Sequence, residues 1–415
     1  MQYGGSVLFC KAAQVTAGSY GAVVFVGTGT SVITMESVSP LPFDAYEAVL
    51  KVLTGGTIGV AGITFRYSLD GERTYSAATA LGTANTYTVP NSGVKFKFAA
   101  GTLVAADTAT VTSVAPTWDA ASLTTALNAL SASNVDWNMS LITGPMSAAD
   151  AATVESLFVG YAANHRWRWF TANTRVPNAG ESDATYVAAM ATAFANTALT
   201  HGDIVGGTAK WVSGVSGRQY RWPAAYPVAA RDNFISIGAS ADDPSAGALA
   251  GVLITDANGN LTDHDESITP GLDDGRITSL RRWDRKQGVY ITRARILSAD
   301  GSDFRLTYHR KVMNLAEDVL YQYLLLQTNK NVRVDKTTGF LAKSARTSLQ
   351  NGGLAVLVTA LGNFVSDVQF TVAADDNVLS TQTIHCEARI IPFGQIEFIT
   401  VTVAFYNPAI QALVA

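Results

Sequence analysis

The chain has 415 residues, a length that predicts about two to three domains and several separate cores. Hydrophobic residues make up 48% and charged residues 15%, with 35 glycines, which suits a folded, β-rich protein and argues against disorder. A formal net charge of -4 excludes a global attraction to nucleic acid or anionic membrane. The two cysteines, Cys10 and Cys386, exclude a disulfide framework and are expected as buried thiols.

The start, MQYGGSVLFCKAAQ, lacks the basic and apolar regions of a secretory signal, and no stretch approaches the roughly 18 apolar residues of a membrane span. The expectation is a soluble subunit made in the cytoplasm. The apolar run Ala22 to Val26, the glycines Gly27 and Gly29 and the phrase SVITM read as an extended arm or a strand pair with a glycine turn. That GxG lacks the third glycine and following helix of a dinucleotide site.

From Tyr46 to Ala115 short alternating runs are broken by Gly-Gly, Asp70-Gly71 and Asn91-Ser92-Gly93, the pattern of an all-β sandwich or barrel. Its Tyr67, Tyr75, Phe96 and Phe98 read as core or cross-strand aromatics. After Pro116 the period lengthens. Asp119 caps a helix with Leu123, Ala126, Leu127 and Leu130; VDWNMSLITG is a buried strand; further helices start near Ser147 and Ser182; and RWRWF and DIVGG are strand-like. Strands alternating with amphipathic helices predict an α/β layer with at least partly parallel strands.

Ser240 to Asp274 is rich in Asp, Gly, Pro and Ser and reads as loop or hairpin, with Asn258-Gly259 as its turn. Basic strands follow in ITSLRRWDRKQGVYITRARIL, then a long helix carrying Val312, Leu315, Val319, Tyr323 and Leu326. Two helices, Lys343 to Leu349 and Gly353 to Phe364, precede the strand candidates IHCEARIIPF and IEFITVTVAFYNP. From Arg276 to Lys311 there are ten Lys/Arg against three Asp, leaving the rest of the chain acidic.

Catalytic signatures are weak. The five histidines stand singly, and Ser216 sits in GVSGR rather than GxSxG. Asp256, Asn258 and Asn260 have the first spacings of a calcium loop, but Gly259 falls at loop position four where position six is required. Asp263, His264, Asp265 and Glu266 read as a solvated acidic flank of a hairpin tip. Trp167 and Trp169, between arginines, read as strand alternation at a core or interface rather than a base-stacking platform. By contrast, Ile396, Phe398, Ile399, Val401, Val403 and Phe405 make the last strand apolar on both faces, so it needs cover on both.

With its N-terminal arm, its β segment GGTIGVAGITFRYSLDGERTYS, its α/β middle and the late runs RRWDRKQGVYITRARI and DFRLTYHRKVMNLAEDVL, the chain resembles contractile tail sheath proteins of phages and related injection systems. The likeness is best over residues 117 to 410. It implies a mixed α+β chain: an α/β sheath core with an inserted all-β, sandwich or barrel-like domain and extended terminal arms. The implied division is an arm at 1–45, the inserted β domain at 46–116, an α/β sheath domain at 117–275 and a C-terminal sheath domain at 276–415.

The resemblance further implies a helical homo-oligomer around an inner tail tube, ending on baseplate and tail terminator proteins. The subunit would be assembled in the host cytoplasm and reside in the virion tail, with no cofactor, metal, catalytic residue, direct nucleic acid contact or membrane insertion. Subunit contacts are expected at Val23, Val24, Phe25 and Val26, at Ile396, Phe398, Val401, Val403 and Phe405, and through Arg281, Arg282, Arg285, Arg293 and Arg295. The rivals are a non-contractile baseplate or other tail component and a hydrolase using Asp263, Asp265, Asp273 and Asp274.

Overall fold

The computed structural model describes residues 8–133, 135–178, 181–254, 263–299 and 301–396. Two compact units divide the chain, Met1–Gln322 and Tyr323–Ala415, the division falling inside the predicted segment 276–415.

In the first unit a β-rich region comes first. Strands β1 (Ser19–Tyr20) and β2 (Val24–Val26) lie along one side of β11 (Thr108–Val114), whose other side pairs with β4 (Glu47–Thr54); β6 (Thr64–Ser68) and β7 (Thr79–Ala80) extend that sheet. A second sheet orders β3 (Ile33–Met35), β9 (Lys95–Phe98) and β8 (Thr86–Thr88), and β5 (Gly56–Thr57) pairs with β10 (Thr102–Leu103). Alternation in β11 turns Ala109 and Val111 inward and leaves Thr110 and Thr112 in solvent, as a sheet with one buried face requires. Leu50, Ile63, Phe65, Phe96 and Phe98 fill the core, and Phe65 meets Tyr87 edge-on at 4.8 Å.

Of the two readings of the N-terminal segment, an extended arm or a strand pair with a glycine turn, the strand pair does not form. β2 joins β11 and β3 joins β9, because the intervening glycines serve a different contact. The Asp107 carboxylate accepts from the backbone N–H of Thr28 and Gly29, and a Cβ at Gly27 or Gly29 would run into it. The GxG is thus a cradle for the chain's own carboxylate.

Helix α1 (Ala120–Ser131), β12 (Met139–Pro145), α2 (Ala148–Ala163), β13 (Trp169–Asn173), α3 (Asp183–Phe194) and β14 (Gly202–Val205) alternate as predicted. Asp119, Ser147 and Ser182 each cap their helix through a side-chain oxygen. The strands run parallel in the order β12-β13-β14, and every residue of β13 and β14 is buried, as parallel strands covered on both faces must be. Phe158, Phe170, Tyr186 and Phe194 fill the space between strands and helices. Arg168, at 5% exposure, lies over the Trp137 ring, and the strand begins only at Trp169.

An antiparallel sheet of β16 (Gln219–Pro223), β15 (Thr208–Val212) and β17 (Val252–Leu253) follows, with α4 (Ala225–Phe234) after β16. Trp222 Nε1 donates to Asp44 and the Gln219 N–H to Asp70, which tie this sheet to the β-rich region. The hairpin β18 (Leu280–Trp283) and β19 (Lys286–Ile291) leads to α5 (Thr307–Leu325).

In the second unit α6 (Lys343–Leu361) is one helix where two were expected. Its central Gly352 and Gly353 do not break it. A Cβ at Gly353 would strike the Phe370 ring and one at Gly352 the Tyr323 phenol, so close packing keeps glycine here despite a helix cost of about 0.5–1 kcal/mol each. Helix α6 covers β20 (Val365–Val372), which pairs antiparallel with β21 (Cys386–Pro392) after the single turn α7 (Val378–Thr381). Cys10 and Cys386 are both exposed, contrary to expectation: Cys386 opens a strand with little cover of its own.

Candidate functional site

The residues expected at subunit contacts fall in three places. In β2, Phe25 packs onto the β core while Val24 and Val26 are 59% and 64% exposed. This strand pairs in register with Thr108 to Thr110 of its own chain, so its backbone is already engaged on one side.

The arginines divide further. Arg282 Nε donates to Asp265 at 2.7 Å, and Arg293 and Arg295 approach Asp273 at 3.8 and 3.4 Å. Arg281 stacks over Trp283 at 3.7 Å, and Arg285 stands exposed at the hairpin turn with φ 63°. Three of the five therefore meet carboxylates within the chain.

Of the C-terminal set, Ile396 is 78% exposed. Phe398, Val401, Val403 and Phe405 lie outside the described residues. What precedes them is informative. Five of the seven residues of β21 are exposed, and among the described residues its one partner is β20.

The acidic run needs a correction. Asp263, His264, Asp265 and Glu266 are 3%, 1%, 1% and 7% exposed, so they are a buried ionic cluster and not a solvated flank. His264 donates through Nδ1 to Asp183 and through Nε2 to Glu266, both at 2.9 Å. Burial alone would lower its pKa, but the two carboxylates overcome this and hold it up at about 9. Glu266 also accepts from the N–H groups of Gly271 and Asp273, and despite burial its carboxyl sits below the ordinary glutamate range. Asp263 accepts from Thr208 at 2.6 Å and Arg221 at 2.7 Å. The cluster joins α3, β15, β16 and β18. No group of three or more His, Cys, Asp or Glu among the described residues is arranged to hold a metal ion, and the calcium-like Asp256, Asn258 and Asn260 lie outside them.

A second buried cluster escaped sequence reasoning. Asp203 on β14 is fully buried, and burial together with the neighbouring Asp232 carboxylate pushes its pKa well above the usual aspartate range. Lys311, one turn into α5, pairs with Asp232 at 2.8 Å and so bolts that helix to α4. Nearby, Arg310 bonds Asn314 and Glu317, while Glu155 bonds Thr200 and His201. The adjacent basic pair Arg310-Lys311 at a helix start was the available signal.

No protein-family model matches the chain, and no curated protein does. Among solved structures, it is similar to the sheath complex of an extracellular contractile injection system, PVC, in the contracted state: 13% identity, TM-score 0.48, 71% of this chain and 76% of that one. It is also similar to a chain of the anti-feeding prophage baseplate, with 11% identity, TM-score 0.44 and the same 71% and 76% coverage. A sheath tail protein from Listeria innocua matches over 92% of this chain and 82% of its own, at 12% identity and TM-score 0.40.

Proposed function

We propose that this chain is a structural subunit of a contractile tail sheath, polymerising into a helical sleeve around an inner tube and driving that tube through a target envelope on contraction. The observation that carries the reading is the β20–β21 sheet. Two strands with one face on α6 are too few for a self-sufficient sheet, and β21 presents an open edge among the described residues. The sequence after it, Gln395 to Pro408, is apolar on alternate and intervening positions, chemistry suited to a strand that pairs on both sides. Strand addition between copies satisfies both needs: backbone hydrogen bonds supply affinity, and alternate side chains fix register.

In this reading Ile396, Phe398, Val401, Val403 and Phe405 enter a neighbour's sheet, Val24 and Val26 present the exposed face of β2, and Arg281 and Arg285 meet acidic surface. Inner tube, baseplate and terminator proteins are the further partners. Energy for contraction resides in the extended lattice, with subunits moving as rigid bodies. Deletion of Gln395 to Ala415 tests it: the expected product is a folded, soluble chain that no longer forms tubes or rings. Tubes made by the truncated chain would defeat strand addition at this end.

A further inference from the structure

Three buried ionisable side chains from three elements meet where α4 crosses the parallel sheet. Asp203 is on β14, in register with Thr171 of β13, and α4 packs across both strands. Asp232 comes from α4 and Lys311 from α5. All three are out of water: Asp203 is 0% exposed, and the Asp232 and Lys311 side chains are 0% and 9% exposed. Lys311 Nζ stands 2.8 Å from Asp232 Oδ1 and 3.3 Å from the Asp232 main-chain carbonyl, with the centroid of the buried Trp169 ring 5.8 Å away. Nζ is therefore no farther from the carboxyl carbon Cγ than that first contact plus one carbon–oxygen bond. The other oxygen, Asp232 Oδ2, and both oxygens of Asp203 are buried with no hydrogen-bond partner among the described residues. Burial and the Asp232 carboxylate favour the protonated form of Asp203, which then carries an O–H donor.

An amine held against a carboxyl group away from water, beside an acid that can donate to that carboxyl's second oxygen, is the arrangement that amide formation needs. We propose that Lys311 and Asp232 join through an isopeptide bond between Nζ and Cγ, with Asp203 as the hydrogen-bond donor to Asp232 Oδ2. A proton first passes from Nζ to Oδ1 along their hydrogen bond. The freed lone pair forms the Nζ–Cγ bond, and the charge that develops on Oδ2 is held by the Asp203 O–H. The Cγ–Oδ1 bond then breaks, and Oδ1 leaves as water with the proton it holds and a second one from Nζ. Ammonium plus carboxylate thus gives amide plus water, and Asp203 ends as it began. The product removes two charges that burial makes costly, and it ties α4 to α5 across 79 positions of chain.

The test is the intact mass of the purified full chain, followed by peptide mapping after proteolysis. A linked chain is lighter by one water, about 18 Da, and yields a branched peptide joining Lys311 to Asp232. Both are expected in wild type and absent in Lys311→Met. An unchanged mass in wild type overturns the bond. So does a loss of water that persists in Lys311→Met, which places it at a cyclised aspartate such as that of Asp70-Gly71. Asp203→Ala, checked for cooperative thermal unfolding, should link about a hundredfold more slowly, read as the linked fraction after a fixed time. Asp203→Asn keeps an N–H donor and should retain the link. Equal linkage in wild type and Asp203→Ala, or none in Asp203→Asn, overturns the part given to Asp203. The mass is read on denatured single chains, so this inference and the sheath reading fail separately.

Discussion

His264 is 1% exposed, and its charge is balanced by Asp183 and Glu266. A folded pKa raised from 6.5 to about 9 means that this stabilisation is fully present below pH 6.5 and is lost as pH rises through about 9. The amount is on the order of 3 kcal/mol. The acids run the opposite way: Asp265 and Glu266 are held below their ordinary values, so their contribution is lost as pH falls through the acid range. Denaturant unfolding measured across pH should show a plateau between the carboxylate range and about pH 6.5, with loss on both sides. His264→Gln should lower the plateau and remove the alkaline limb; an unchanged alkaline limb would mean that another group titrates there. Asp203 and Asp232 make a sharper contrast. Burial and the Asp232 carboxylate push Asp203 toward its neutral form, so Asp203→Asn should leave stability at neutral pH within about 0.5 kcal/mol or raise it. Asp232→Asn strands the largely buried Lys311 ammonium and should cost about 3–5 kcal/mol. Equal losses in the two variants, by thermal or urea unfolding, would contradict the assignment of charge.

Among the elements, helix α6 shows where local reasoning stops. Gly352-Gly353 is a helix-breaking signal by propensity, yet the helix runs through it because the Phe370 ring needs the space. Gly353→Ala should therefore destabilise by about 1–3 kcal/mol despite its better helix propensity, read as a lowered urea midpoint; a more stable variant would show that the ring has room to move. Other elements were legible because one local rule settled them. Asp119, Ser147 and Ser182 announced their helices, and the uninterrupted burial of β13 and β14 follows from strands alternating with helices. The run Asp263 to Glu266 was not legible. Charge reads as surface until the partners are known, and Arg221, Arg282 and Asp183 lie 42, 17 and 81 positions away from their contacts. The strand partners of β2 and β3 were hidden for the same reason, since pairing with β11 and β9 is set by tertiary packing.

Across the whole molecule, several buried charges are paired within the chain, and β21 has β20 as its one strand partner among the described residues. Within the first unit, Asp44 and Asp70 tie the β-rich region to β16. In the basic stretch from Arg276 to Lys311, Arg282, Arg293 and Arg295 meet carboxylates inside the chain, and Arg285 stands exposed at the hairpin tip. Exposed surface charge contributes little to stability and more to which surfaces meet. Arg285→Glu should accordingly leave the unfolding midpoint unchanged and slow assembly, followed by light scattering; faster assembly would place basic surface opposite the tip. The most direct measurement of the central claim is electron microscopy of the purified full chain in negative stain over a range of concentrations. Long sleeves or stacked rings are the predicted result, and particles that stay strictly monomeric at the highest concentration would contradict it.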